Sequence, residues 1–372
     1  MEDSPSKTKS ETKVGSPRRW YVEPWEAEYG SPDQTEEDLR DAEYTEDPGL
    51  YGEKSSNGYL PVTARPVRAV VIDGASRTEA QVGMEDPLTQ RIVSGEAVVV
   101  GFGAALAGGD KGESPRAAGM PGMPVLRTER ALLWNRAAPP EHYRRMFGTV
   151  EYSPTGWRWQ PRFSAEVQEK TNRSAGGLLA NSPDVMLMTL LENALFERVL
   201  YAPEEELGVV RDSLPGLVVK DGPLPEIDRR RAALPAVGCV KTHQKTYLPE
   251  EESERLSTLP EGCRTPLFSI AKREISSCYL RLPAIPSDPL SGPWSGIVRL
   301  EFYGGGAGGA GPDTLVDTAA ATCVSLAGSL LKDGRAPQNL MPTMALESRL
   351  QRFMGEIRLS RRALRVARFP LE

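Results

Sequence analysis

Apolar residues along this chain gather in short runs cut by glycine, proline and aspartate. One run sets the pattern: Val70-Val71-Ile72-Asp73-Gly74-Ala75-Ser76. β-Branched residues closed by Asp-Gly read as a buried strand, here about 67–73, that ends in a loop. The pattern returns at Leu217-Val218-Val219-Lys220-Asp221-Gly222-Pro223-Leu224, predicting a second such strand over 217–221. Further strands are predicted over 79–84, 92–102, 127–134, 236–240, 278–282 and 297–302. In the last of these Arg299 and Glu301 alternate with apolar residues, which predicts one polar and one apolar face. Leu187, Leu190, Leu191, Ala194, Leu195 and Val199 follow helical spacing and predict a helix over 184–201, with Ser182 as N-cap and Pro183 at N1. An Ala-rich helix is predicted over 315–331, with Asp313 as its candidate cap. A last helix over about 343–368 has Leu346, Leu350, Phe353 and Ile357 as its apolar stripe. Residues 101–122, rich in Gly, Ala and Pro, read as a flexible loop. No Gly-Lys-Ser/Thr follows their glycines, so a phosphate loop is not indicated.

Charge divides the chain into two parts. Residues 1–62 carry 15 acidic and 7 basic side chains, whereas 63–372 carry 36 acidic and 38 basic ones. The acidic balance therefore belongs to a leader over 1–62, expected to be largely disordered, and the folded part over 63–372 is slightly basic. Trp20, Tyr21, Trp25, Tyr29, Tyr44, Tyr51 and Tyr59 punctuate the leader, which suits loose packing on its own domain or docking to a partner. The length of 372 residues allows one large or two ordinary domains. Cys239, Cys263, Cys278 and Cys323 show no CxxC spacing, so neither zinc nor a disulfide framework is indicated and free thiols are expected. No N-terminal apolar segment and no membrane-spanning window is present, and a soluble, cytoplasmic protein is expected.

These patterns place the candidate chemistry. If the two Asp-Gly strands are neighbours, Asp73 and Asp221 converge at one edge of one sheet. Convergent carboxylates without dense His or Cys form an oxygen-ligand site for a hard cation such as magnesium or manganese. The competing reading makes each Asp-Gly only a turn. Glu192 borders the apolar stripe of the 184–201 helix and is a candidate third ligand or an ordinary solvated glutamate. Lys241 ends the strand over 236–240 and could meet a phosphate as a point charge. His243 and His142 are the only histidines, leaving little for Ser-His-Asp or Cys-His chemistry. Trp157, Arg158, Trp159 and Arg162 suit either stacking on single-stranded bases or a tryptophan-anchored surface loop. Glu347 opens the last helix, whose outer face carries seven arginines from Arg349 to Arg368. That face is either solvated or suited to a nucleic-acid backbone or an acidic partner.

In order along the chain, Asp73-Gly74-Ala75-Ser76, Leu191-Glu192, Val219-Lys220-Asp221-Gly222-Pro223-Leu224, Val237 to His243, and Met341-Pro342 with Leu346-Glu347 resemble the NurA nuclease domain. The resemblance covers roughly residues 65–355. Segments at 264–268, 279–283 and 335–339 look like the actinobacterial branch of NurA-like proteins. It implies an RNase H-like fold, a mixed central sheet with helices on both sides. It also implies a manganese- (or magnesium-) dependent DNA nuclease, trimming 5′ ends in repair with a HerA-type hexameric ATPase, as a homodimer. Carried over by position, Asp73, Glu192 and Asp221 would be metal ligands, Glu347 would replace the family's last-helix ligand, and Glu301 would be a weaker fifth. Lys241 would steady the scissile phosphate. Two-metal phosphodiester hydrolysis is the mechanism expected from four such carboxylates. The alternative is a non-catalytic DNA-binding or scaffolding subunit of an ATPase complex, and a third reading is a phosphatase or nucleotide hydrolase. The departure at Glu347 and the acidic leader have no counterpart in the family pattern.

Overall fold

The structure is a computed structural model that describes residues 20–23, 59–85, 92–108, 123–134, 157–159, 183–241, 247–248, 250–270, 275–283, 295–304, 312–329, 331 and 337–366. The remaining residues, including most of the leader, His142, Arg162 and His243, lie outside the described residues. The chain is mixed α/β. Its twelve described strands form one sheet: β1 (Trp20–Glu23), β2 (Leu60–Pro61), β3 (Ala69–Glu85), β4 (Ile92–Ala107), β5 (Val125–Trp134), β6 (Trp157–Trp159), β7 (Leu217–Asp221), β8 (Ala236–Val240), β9 (Cys263–Arg264), β10 (Phe268–Ile270), β11 (Ile275–Arg281) and β12 (Ile297–Tyr303). The strand order is β2-β9-β11-β12-β8-β7-β3-β4-β5-β6, with β1 added on β3 and β10 on β11. At the centre β3, β7 and β8 run parallel, and antiparallel pairings extend the sheet on both sides, with β6 added parallel to β5 at one edge.

Helices cover both faces of that centre, which is why its strands read as continuous apolar runs. Alternate side chains of a strand point to opposite faces. Val70, Ile72 and Val218 pack with Leu195, Phe196, Val199 and Leu200 of α1 (Pro183–Tyr201). Ala69, Val71, Leu217, Val219, Val237 and Cys239 pack instead with Val316, Ala319, Ala320 and Cys323 of α4 (Pro312–Ser325). Two short helices, α2 (Pro203–Leu207) and α3 (Glu250–Arg255), lie between them in the chain. The chain then forms α5 (Met341–Phe353) and α6 (Ile357–Val366).

Several boundaries differ from the sequence expectation, each for a physical reason. The first Asp-Gly ends no strand: β3 runs from Ala69 through Asp73-Gly74 to Glu85, forming one long hairpin with β4. The predicted strands over 67–73 and 79–84 are thus one strand, with a bulge between Thr78 and Ala80. β4 continues to Ala107, so 101–107 is strand rather than flexible loop. Gly101 marks a close approach of α5, since a Cβ there would lie 3.3 Å from Leu350; a Cβ on Gly103 would lie 2.5 Å from the Val125 carbonyl of β5 and 3.1 Å from Leu346. The Ala-rich helix begins at Pro312 and stops at Ser325, so Asp313 lies within it. The last helix is two helices, broken at Met354-Gly355-Glu356, where Gly355 takes φ +76. The break leaves Phe353 57% exposed and buries Met354 in its place. Leu190 and Ala194 of α1 are exposed, while Phe196 and Leu200 are in the core.

The break is fastened to the sheet by charge. Arg77 donates to Gly355 O at 3.0 Å and Arg130 to Met354 O at 2.5 Å. Glu79, fully buried at the β3 bulge, pairs with Arg77 at 2.7 Å and lies 3.9 Å from Arg130 Nε. Arg361 of α6 donates to the Glu79 carbonyl. Burial pushes the Glu79 carboxyl up, and the two arginines and Ser360 oppose it. Glu79→Leu would leave two guanidiniums without their buried counter-charge, at a cost of about 3 kcal/mol or more. The expected result is that loss in denaturant unfolding, and a change below about 0.5 kcal/mol would show that the guanidiniums hold the break unaided.

Candidate metal centre

The parallel pairing of β3 with β7 covers Ala69–Ile72 against Leu217–Lys220 and then stops. Asp73 is the next residue on β3. Asp221 is the last of β7 and pairs with Cys239 of β8. Both therefore stand at the carboxyl edge of the parallel strands, where α/β sheets present ligand sites. The two Asp-Gly pairs reach this edge for different reasons. Gly222 takes φ +90, a conformation that turns the chain off β7. Gly74 stays in its strand and makes room for α1: a Cβ there would lie 2.8 Å from Met188 and 3.4 Å from Glu192 Oε2.

Strand parity sorts the predicted residues by face. Asp73, Asp221 and Lys241 continue the set Ala69, Val71, Leu217, Val219, Val237 and Cys239, which faces α4. Glu347 joins them from the first turns of α5, where the neighbouring Leu346 and Leu350 pack against Ala75 and Ala105. One carboxylate oxygen each of Asp73, Asp221 and Glu347 lies within 4.8 Å of the others. Lys241 Nζ donates to Asp221 Oδ2 at 2.7 Å and to Asn339 Oδ1 at 2.8 Å. Asp73 Oδ1 accepts from the Gly74 amide at 2.8 Å, while Asp73 Oδ2 is buried with no hydrogen-bond partner among the described residues.

Glu192 lies on the other side. It projects from α1 and is 3% exposed, so it is not the solvated glutamate that spacing allowed. Lys220 Nζ sits 2.8 Å from Glu192 Oε1 and donates to the Asp221 carbonyl at 2.9 Å. Lys220 continues the Val218 face, which packs on α1, so the pair stands across the sheet edge from the three carboxylates. Glu301 stands apart as well. Its Oε1 accepts from Arg299 at 2.7 Å and its Oε2 from the Leu224 amide at 3.0 Å. The charged face predicted for β12 is thus buried: Arg299 is 5% exposed and stacks over the Tyr247 ring at 4.5 Å. Lys220 and Asn339 had no place in the sequence reading as site residues. Lys220 gave one signal, a charge inside an apolar run on a strand covered on both faces; Asn339 entered only as part of the 335–339 segment, with no role of its own.

The electrostatics of the cluster favour a cation. Burial raises the Asp73 carboxyl well above its ordinary range; the Asp221, Glu192 and Glu347 charges add to the rise, and Lys241 opposes it. Burial also raises Glu192, with Lys220 opposing. Burial alone would lower Lys241, but the Asp221 and Asp73 carboxylates outweigh it and hold its ammonium above the usual range. Three carboxylates with a buried, unpartnered oxygen fit a hard divalent ion that takes oxygen ligands. The donor set holds neither His nor Cys and does not by itself separate manganese from magnesium.

Fold and site together define a class: an α/β protein with a largely buried carboxylate centre at the edge of its central parallel strands, able to hold a metal ion. The chain matches no protein-family model and no curated protein. No helix among the described residues is long and apolar enough to cross a membrane.

Asp73 and Glu192 have folded pKa values above their unfolded ones, near 4. The folded metal-free protein therefore keeps protons that the unfolded chain has released. The stability from this source is complete below the unfolded range and is lost as pH rises through the elevated folded values. Metal-free protein should lose thermal stability as pH rises from the unfolded carboxylate range, near 4, through the elevated folded values. Asp73→Asn, which removes the charge, should raise the metal-free midpoint by about 2 °C or more above that range and flatten that pH dependence. A lowered midpoint with an unchanged pH slope would contradict this. Glu301→Gln separates the two buried acids: it should cost about 2–4 kcal/mol of stability through Arg299 while leaving Mn2+ affinity within threefold of wild type. A large loss of affinity in the folded variant would make Glu301 a ligand.

Proposed function

We propose that this protein is a divalent-cation-dependent phosphodiester hydrolase acting on DNA. The observation that carries the reading is the convergence of Asp73, Asp221 and Glu347 beside the Lys241 ammonium. Carboxylates that hold a dication next to a fixed cationic side chain suit a substrate bearing a phosphodiester. Asp73, Asp221 and Glu347 would hold manganese or magnesium. When bound, such an ion supplies Lewis acidity and a water acidic enough to attack at neutral pH. Lys241, kept in place by Asn339, would meet a non-bridging phosphate oxygen as a point charge.

DNA as the substrate is supported by the slightly basic balance of residues 63–372 and by the arginines of α5 and α6. Arg349, Arg352, Arg358, Arg362 and Arg365 are exposed there. Such a surface binds a phosphate backbone without reading sequence. The resemblance to NurA nucleases carries the remainder of the proposal: 5′-end processing in repair, an RNase H-like ancestry for the sheet, a HerA-type ATPase as partner, and a homodimer in the cytoplasm.

Purified protein with manganese on 5′-labelled single- and double-stranded DNA, with and without a HerA-type ATPase, tests the reading. Cleavage should require the cation and should fall at least a hundredfold in Asp73→Ala and Asp221→Ala while the fold is retained. DNA binding without cleavage in any of these conditions would favour a scaffolding subunit instead. Turnover of small phosphoesters with DNA left intact would favour a phosphatase.

A further inference from the structure

The charges at the sheet edge bear on how many cations the centre takes. Four carboxylates, Asp73, Glu192, Asp221 and Glu347, would suffice to hold two dications. The fold does not place the four together. Asp73, Asp221 and Glu347 converge within 4.8 Å on the face shared with α4 and α5. Glu192 stands on the α1 face, tied to Lys220 at 2.8 Å, with both side chains 4% exposed. The three convergent carboxylates already hold one cation of the protein's own: Lys241 Nζ lies 2.7 Å from Asp221 Oδ2. That ammonium is not a loose surface charge. Its second partner is Asn339 Oδ1 at 2.8 Å, from an amide side chain on a residue 1% exposed. Asp73 Oδ2, buried and without a hydrogen-bond partner among the described residues, is an acceptor open to a dication.

We infer that the Asp73–Asp221–Glu347 centre takes a single divalent cation and that the Lys241 ammonium, positioned by Asn339, occupies the place of a second. The inference rests on the cation-binding reading of this cluster and specifies its stoichiometry. Lys241 is then a charge-positioning residue for the centre, and Asn339 positions Lys241.

The test is a titration of the full chain with Mn2+ alone, following free Mn2+ by electron paramagnetic resonance, with Asp73→Asn as the blank for ions bound elsewhere. Wild type should bind one Mn2+ per chain above the blank. Lys241→Met should bind the first ion at least tenfold tighter, because Asp221 is released and one positive charge is gone, and should admit a second, weaker ion. Lys241→Arg should restore the single-ion behaviour. Asn339→Ala, which keeps every charge, should still bind one ion. Two Mn2+ ions per wild-type chain would overturn the inference and leave the cation site standing. So would a folded Lys241→Met variant with unchanged affinity and stoichiometry. No Mn2+ above the blank in folded wild type would overturn the cation site itself.

Discussion

Like charges held close together at a partly buried sheet edge are the constraint on which this structure turns. Asp73, Asp221 and Glu347 are drawn to one sheet edge by three separate elements, and the Lys241 ammonium lies 2.7 Å from Asp221. Moving carboxylates out of water is costly, and doing so side by side is costlier. The protein tolerates the arrangement because the surrounding sheet is covered on both faces and leaves little freedom to relax it. β3 pairs with β7 on one side and β4 on the other, and α5 lies flush against the glycines of β4. The cluster is thus a local conflict imposed by the global fold, which is how functional sites commonly present themselves.

The buried charges away from the cluster are treated differently. Arg299–Glu301, Lys220–Glu192 and Arg77–Glu79 are close pairs at 2.7–2.8 Å, each joining one acid to one base. Glu301 and Arg299 lock the Leu224 amide and the Tyr247 ring to β12. Arg77 and Arg130 hold the break between α5 and α6, and so fix the helix that carries Glu347. Where Asp73, Asp221 and Glu347 meet, three carboxylates instead come within 4.8 Å of one another. A site able to attract a cation is recognised by that contrast rather than by the presence of acids alone.

Much of this was legible in the sequence, and the parts that were not have physical causes. The apolar runs around Val71, Val219 and Val237 marked strands covered on both faces, and the helical spacing around Leu191 marked α1. Asp73 and Asp221 were legible because each follows such a run. The identity of Asp73-Gly74 as mid-strand was hidden, since a turn glycine and a glycine that admits a helix look the same in one dimension. The strand over 101–107 was hidden because Gly and Ala there serve helix packing rather than strand propensity. Face assignment was the largest gap. Glu192 and Glu301 were grouped with the two aspartates, but which face a carboxylate takes depends on strand parity and on which lysine or arginine reaches it first. Asn339, in a loop with no periodicity, could be found only from the position of Lys241.

Asp73, Asp221 and Glu347 meet as a candidate cation centre. Its most direct test is a crystal structure of the protein soaked in manganese, with anomalous differences collected at the manganese edge. The expected result is a peak bounded by carboxylate oxygens of those three residues at roughly 2.1–2.3 Å, with Lys241 still beside it. A structure with no peak there, or with manganese held between Glu192 and Glu301 instead, would contradict it.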